Sequence, residues 1–179
     1  MRKRLALLIA LSLVVGLFAG CTRGLLGSES KSTDDTDTAT GSQSSLEGAL
    51  ENYVNVLYAR KTPSKSQVMS ILPDAIWEER GGFDYEEMIE EREYDIEDYI
   101  EEFGDDYTVT YEILSKEKMD EDDLEEGREA FEEYGMVGKK LTEAYMVEYE
   151  VTIKGSEGED SHTEYSTILK YDGKWYVAG

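Results

Sequence analysis

The chain has 179 residues, with 41 Asp and Glu against 18 Lys and Arg, and its formal net charge is −23. A field of this sign repels polyanions and argues against a nucleic-acid partner. One Cys cannot close an intramolecular bridge, which excludes a disulfide-stabilised scaffold, and the 40% of hydrophobic residues argues against disorder of the whole chain.

The first twenty residues have the layout of a secretory signal. Basic residues at positions 2–4 precede an apolar stretch over 5–18, and two small residues stand before Cys21. The apolar stretch is too short for a comfortable membrane span. We therefore predict a signal peptide over 1–20; an uncleaved N-terminal membrane helix and an ordinary secreted protein are the alternatives.

The only Cys of the chain ends the run Leu17-Phe18-Ala19-Gly20-Cys21. This run resembles the lipobox of bacterial lipoproteins, in which the Cys sulfur receives a diacylglycerol and the Cys becomes the new N-terminus. Phe18 departs from the aliphatic residue usual at its place. The resemblance implies a lipid anchor on Cys21 and a protein held at the cell membrane, facing outside the cytoplasm. The outer face of a Gram-positive membrane is the location we favour.

Residues 21–44 predict a flexible polar linker. Ser, Thr, Gly and Asp dominate it, and Leu25 and Leu26 are its only large apolar residues. A segment of this composition cannot bury enough apolar surface to offset its ordering entropy. A tether of about 24 residues has an r.m.s. reach of roughly 25 to 30 Å. The acidic cluster at 34–37 lacks the Gly and the distal Glu of a calcium loop, so it is interpreted as solvated linker.

Residues 45–179 predict a single domain of α+β class in which helices come first. Apolar residues at helical spacing, a capping-box pattern of Ser44 with Glu47, and Gly104 as a stop signal mark the helices. The helices are expected at 45–60, from Thr62-Pro63 to Leu72, at 74–79, at 84–103 and at 121–134.

Alternating apolar and polar residues predict antiparallel strands in the second half of the domain. The first runs from Tyr107 to Ile113 and the second from 145 to 153, and a turn at 155–161 separates the second from the third. Asp172-Gly173 predicts a tight hairpin turn into the last strand. The residues expected to point inward from the third strand are Tyr165, Thr167, Leu169 and Tyr171.

The element order, ending in a meander that closes with Tyr171-Asp172-Gly173-Lys174-Trp175-Tyr176-Val177, resembles the nuclear transport factor 2-like superfamily, a cystatin-like α+β cone. Together with the lipobox and the tether, the chain is similar to small Gram-positive lipoproteins of unassigned function. In that superfamily a curved sheet wraps around the helices and leaves a pocket at the open end. The resemblance thus implies a ligand cavity; a plain α+β domain of another topology is the alternative.

Inward-facing rings and one Arg are the candidate ligand-binding residues. The rings are Tyr107, Tyr111, Tyr145, Tyr149, Tyr165 and Trp175, and the alternative is that they fill the core. Arg92 falls on the apolar stripe of the long helix, where it would offer a positive charge to an anionic ligand. The alternative is an Arg that lies along the core edge and pairs with a neighbouring carboxylate.

The sequence assigns no catalytic residue, metal ligand or cofactor, because it has no nucleophile triad, glycine-rich phosphate loop or His/Cys cluster. The single His, His162, is expected to be exposed and inert, and the acidic residues are expected on outward surfaces. We predict a lipid-anchored, non-catalytic module that binds a small molecule or an envelope protein. The alternative is a small extracytoplasmic enzyme of the isomerase, dehydratase or hydrolase type with its pocket in the cone.

Overall fold

A computed structural model describes residues 31–32, 43–79 and 85–178. The predicted signal peptide over 1–20, Cys21 and most of the predicted linker lie outside these residues. In the part of the chain that is described, no helix combines the length and the apolar character needed to cross a membrane.

Five α-helices and five strands make up the described residues. Strand β1 is Lys31–Ser32, and the helices that follow it are α1 Leu46–Tyr58, α2 Lys65–Met69, α3 Asp74–Glu79 and α4 Tyr85–Phe103. The second half holds β2 Thr108–Lys118, α5 Glu121–Glu133, a 3-10 turn Gly138–Lys140, β3 Leu141–Lys154, β4 Glu159–Tyr171 and β5 Lys174–Ala178. The α+β class is confirmed, and the sheet is antiparallel throughout with the order β1-β2-β3-β4-β5.

Turn and cap residues explain most element ends. Ser45, one residue after the predicted cap, accepts a hydrogen bond from the Gly48 N–H at the start of α1. Ser64 rather than Thr62 caps α2. Gly104 ends α4 with a φ of +96°, where a side chain would be strained. Asp172 and Gly173 both have positive φ, which confirms the predicted hairpin.

The register between β3 and β4 decides which side chains face the helices. Tyr149 stands opposite Glu164, and Glu148 stands opposite Tyr165. Odd positions of β3 therefore lie on the same face as even positions of β4. We call this face, against which α1 packs, the inner face, and the opposite one the outer face. The prediction that Tyr165 points inward was wrong, because it lies on the outer face and is 62% exposed.

Both faces of the sheet carry a packed core, but only one is covered along most of its length. On the inner face, α1 and the end of α4 pack against the central strands through Leu50, Val54, Phe103, Val147 and Ile168. On the outer face, α5 and the segment around α3 cover one end only, through Ile76, Leu124, Phe131, Ala144 and Leu169. The remaining outer face of β2, β3 and β4 has no helix against it among the described residues.

The two edge strands of the sheet differ in how many of their outward backbone groups have a partner. At the β5 edge, Trp175 N–H donates to the Gln43 carbonyl at 2.8 Å and Val177 N–H donates to the Ile71 carbonyl at 3.1 Å. At the β2 edge, the described partner is the two-residue strand β1. The β5 edge is thus covered by main-chain groups that come before and after α1 in the sequence. Among the described residues, the β2 edge is covered over only a short length.

Candidate functional site

The structure places five of the predicted ligand-binding residues in two groups on the inner side of the sheet, whereas Tyr165 lies on the outer face. Arg92, Tyr107 and Tyr149 lie around the C-terminal end of α1. Tyr145 and Trp175 lie near the opposite end, with ring centroids 5.9 Å apart. Tyr111 lies beside the first turn of α1, where its hydroxyl donates to the Glu47 carbonyl at 3.3 Å.

A polar cluster that the sequence did not predict lies beside the first group. Glu164 projects from β4 onto the inner face, and its side chain is 28% exposed. Its Oε2 accepts a hydrogen bond from the Tyr149 hydroxyl at 2.8 Å, and its Oε1 accepts one from the Tyr58 hydroxyl. The Nε2 of His162 lies 3.4 Å from the same Oε1. We call Tyr58, Tyr149, Asp160, His162 and Glu164 the inner polar cluster.

Secondary structure brings this cluster together from distant parts of the chain. Tyr58 is the last residue of α1, and Tyr149 is at the middle of β3. Asp160, His162 and Glu164 alternate along β4, so all three side chains fall on the inner face. An inward row of polar residues next to Tyr149 is the reverse of the expectation that acidic residues face outward.

Glu164 is held in its charged form. Burial acts to raise its pKa, but the hydrogen bonds from His162, Tyr58 and Tyr149 together outweigh burial and hold the pKa below its ordinary value of 4.5. Burial, with the charge of Glu164 nearby, raises the pKa of both Tyr58 and Tyr149. These hydroxyls therefore stay protonated and serve as hydrogen-bond donors.

His162 lies between two carboxylates, so the expectation of an exposed and inert side chain was wrong. The side chain is 21% exposed, and its Nδ1 lies 3.5 Å from the Asp160 Oδ2. The ring also approaches the Tyr58 hydroxyl at 3.3 Å. The hydrogen bond with Glu164, assisted by Asp160, raises the pKa of His162 above 6.5. Protonated His162 can donate to both acids.

Arg92 is only 4% exposed, and it binds the end of a helix. Its Nε donates to the Val56 carbonyl at 3.1 Å and its Nη2 to the Ala59 carbonyl at 2.7 Å. The guanidinium lies 5.8 Å from the centre of the Tyr99 ring, and its Nη1 is 3.9 Å from the Asp95 Oδ2. Two of its donors are therefore used within the domain, on carbonyl groups that α1 leaves free.

The second group is a mixed aromatic and charged patch. Lys170 lies over the Trp175 ring at 5.3 Å and forms an ion pair with Glu143 at 3.0 Å. Lys118 lies over the Tyr145 ring at 5.9 Å. The two Lys side chains cover the rings from the solvent side. Trp175 is buried and Tyr145 half-buried, so these rings serve as core.

An apolar cavity of about 60 Å³ lies on the other side of the sheet, beneath α5. Its walls are aliphatic and aromatic, and the carboxylates of Asp123 and Glu126 stand among its lining residues. None of the predicted ligand-binding residues lines it. The cavity is thus separate from the inner polar cluster, and the titratable residues that line it are Asp123, Glu126 and Tyr134.

The arrangement of the inner polar cluster limits its chemistry. Both oxygens of Glu164 already accept hydrogen bonds, and its lowered pKa makes it a weak base. Within the described ranges, no group of three or more His, Cys, Asp or Glu side chains is placed to hold a metal ion. No protein-family model, curated protein or solved structure gives a significant match to this chain.

Proposed function

We propose that this protein is a lipid-anchored extracytoplasmic module that binds a partner in the cell envelope and catalyses no reaction. The anchor is supported by Cys21, which follows a basic start, an apolar stretch and two small residues. The two acyl chains of a diacylglycerol on Cys21 would hold the protein firmly at a membrane. The acidic domain would be repelled by anionic lipid headgroups and would stand away from that surface.

One observation carries the non-catalytic proposal. Near the C-terminal end of α1, both oxygens of Glu164 and two donors of Arg92 are already bonded within the domain, and the third guanidinium nitrogen, Nη1, is buried 3.9 Å from the Asp95 Oδ2. Glu164 is bonded to Tyr58 and Tyr149, and Arg92 is bonded to the end of α1. A site that binds substrate would need such groups free to point at it.

The outer face of the sheet supports the binding role. No helix of the described residues packs on much of this face along β2, β3 and β4, and its polar positions include Thr108, Thr110, Glu112, Glu148 and Glu150. The hydroxyl of Tyr165 donates to Glu148 at 2.8 Å, and this ring is 62% exposed. An exposed, hydrogen-bonded Tyr on a flat polar face has the character of an interface residue.

The proposed family is the nuclear transport factor 2-like superfamily. Helices before the sheet, a helix between β2 and β3 and a closing meander of β3, β4 and β5 support it. In this proposal the inner face of the sheet corresponds to the face that wraps around the helices. The inner polar cluster would then lie at the open end of the cone.

A small extracytoplasmic enzyme is the second candidate, and one observation favours it. His162 lies between Asp160 and Glu164 and keeps contact with solvent, next to the protonated hydroxyl of Tyr58. A His of raised pKa beside a neutral donor could pass a proton to a small substrate. Rearrangement of the Glu164 contacts would have to accompany substrate binding.

The anchor is tested by replacing Cys21. Cys21→Ser should abolish incorporation of a clickable fatty acid and release the protein from the membrane fraction of the producing cell. Thr22→Ser, one residue further on, is the matched control and should leave both properties unchanged. Membrane association of Cys21→Ser equal to that of the control would contradict the anchor.

The binding face is tested with a photo-cross-linking amino acid in intact cells. Tyr165 and Tyr94 are both 62% exposed, but Tyr94 lies on α4 rather than on the sheet. We expect a discrete cross-linked product from position 165 and none from position 94. Equal products at both positions, or none at either, would contradict the outer face as the binding surface.

A further inference from the structure

We propose that the outer edge of β2 is a docking site for the tether of this same chain, which adds a strand to the sheet. The described part of the tether already has this placement. Lys31 lies opposite Tyr111 and Ser32 lies opposite Thr110 in an antiparallel pair. These two residues fall inside the segment that the sequence predicts to be a flexible linker.

The edge of β2 has the hydrogen-bonding capacity for a longer pairing. On its other side, β2 is bonded to β3 from Thr108 opposite Lys154 to Lys118 opposite Tyr145. Alternate N–H and C=O groups point away from β3 along this length, with one interruption where the register shifts between Ile113 and Ser115. An open row of this kind accepts an extended segment by strand addition. Beyond Thr110 and Tyr111, no described strand occupies it.

Continuation of the observed register favours the tether as the occupant. Antiparallel pairing that begins at Lys31 and Ser32 brings residues 24–30 alongside the second half of β2. That half carries Leu114, which is 48% exposed. The tether residues that would reach this region include Leu25 and Leu26, the large apolar residues of the linker. Docking would cover apolar side chains of both segments.

Charge also selects this part of the tether. Residues 24–32 contain one Glu and one Lys and are formally neutral, whereas residues 33–38 contain three Asp. A strongly acidic domain repels the second segment and not the first. The neutral segment is therefore the part of the linker best able to lie along β2.

Docking would shorten the free spacer between membrane and domain. About 24 residues separate Cys21 from α1, with a reach of roughly 25 to 30 Å, whereas docking from residue 24 onward leaves only Thr22 and Arg23 as free spacer, with a reach of under about 10 Å. The docked tether would hold the β2 side of the domain toward the lipid. This consequence rests on the proposed anchor; the docking itself does not.

The register is tested by a cross-strand disulfide in the full chain purified in detergent. Ser32→Cys with Thr110→Cys joins facing positions, within the Cα separation that a disulfide needs. Ser32→Cys with Thr108→Cys is the matched control, because the second position is two residues out of register. Under mild oxidation at low protein concentration, we expect the first pair to form an intramolecular bond at least about tenfold faster than the control.

Two results of this experiment would overturn the proposal. One is equal rates for the two pairs. The other is a bond that forms only between two molecules, which would assign the edge to a second copy. Maleimide labelling of Cys21 in the same sample would count against the lipid anchor alone, so that failure of the proposed function can be told from failure of the docking.

Hydrogen exchange provides a measurement without engineered thiols. Lys31→Pro with Ser32→Pro removes two N–H groups and blocks the pairing. We expect amide exchange in the peptide that covers 108–118 to rise at least about tenfold in this variant. Ala39→Pro with Thr40→Pro, in the linker but away from the paired residues, should leave the exchange unchanged. Equal exchange in the two variants would also overturn the proposal.

Discussion

The Nε of Arg92 donates a hydrogen bond to the carbonyl oxygen of Val56 at 3.1 Å, from the middle of α4 to the last turn of α1. The last turn of α1 contains no basic residue of its own. The carbonyl groups there carry the negative end of the helix dipole and have no partner within the helix. A cation supplied by α4 thus completes α1 and joins the two helices.

Replacement of Arg92 should destabilise the domain strongly. Arg92→Met keeps most of the apolar stem but leaves the Val56 and Ala59 carbonyls without donors, so we expect a loss of about 2–4 kcal/mol in the free energy of unfolding. Lys139→Met removes an exposed cation and should change it by less than about 0.5 kcal/mol. Urea unfolding followed by circular dichroism provides the measurement. A loss for Arg92→Met as small as that of the control would contradict the assigned role.

The only His of the chain reports directly on the inner polar cluster. In untagged protein, an NMR titration should give His162 a pKa above its ordinary value of 6.5. Glu164→Gln should lower that pKa, because the charged hydrogen-bond partner is lost, and Asp160→Asn should lower it less. An unchanged pKa in Glu164→Gln would show that the two side chains do not interact in solution.

The free energy of unfolding should depend on pH, because His162 and Glu164 of the inner polar cluster contribute to it in opposite pH ranges. The raised pKa of His162 gives a contribution that is complete below pH 6.5 and lost as pH rises through the folded-state pKa. The lowered pKa of Glu164 gives one that is complete above pH 4.5 and lost as pH falls through its folded-state pKa. The cluster is thus most stabilising between pH 4.5 and 6.5. Urea unfolding across pH 3–9 should show a flatter profile for His162→Gln than for the wild-type chain.

Gly155 should not tolerate a side chain. A Cβ there would overlap the carbonyl oxygen of Phe103, where the β3–β4 turn meets the end of α4. We expect Gly155→Ala to cost more than about 3 kcal/mol. Gly135→Ala is the comparison: Gly135 has a φ of +69° but nothing within 4 Å of the added atom, so only backbone strain of about 1–2 kcal/mol applies. Thermal unfolding of the two variants would test the order.

The helices and the closing hairpin could be predicted because their signals are local. Apolar spacing located α1 and α4, and Gly104 and Asp172-Gly173 marked a helix end and a turn. The cap of α2 was placed at Thr62 because Pro63 suits a first helical position, whereas Ser64 and Gln67 form a complete capping box. Element existence was therefore more predictable than the residue at which an element begins.

The inner polar cluster could not be predicted because it depends on the register of β4. From Ser166 to Leu169 every residue is buried, since helices cover both faces of the sheet there. The alternation that would have identified the inward side is lost, and Tyr165 was assigned to the wrong face. The sequence analysis expected His162 to be exposed and did not single out Glu164. The alternate spacing of Asp160, His162 and Glu164 was the one available signal.

The hydrogen bond from Trp175 N–H to Gln43 has a practical consequence for where a soluble fragment should begin. A fragment that starts at position 45 would still contain the five described helices and the three meander strands. It would lack one of the two carbonyl acceptors at the β5 edge, that of Gln43, and it would also lose β1 from the β2 edge. Unpaired edges are templates for other chains, so such a fragment would fail by concentration-dependent aggregation before it failed by unfolding.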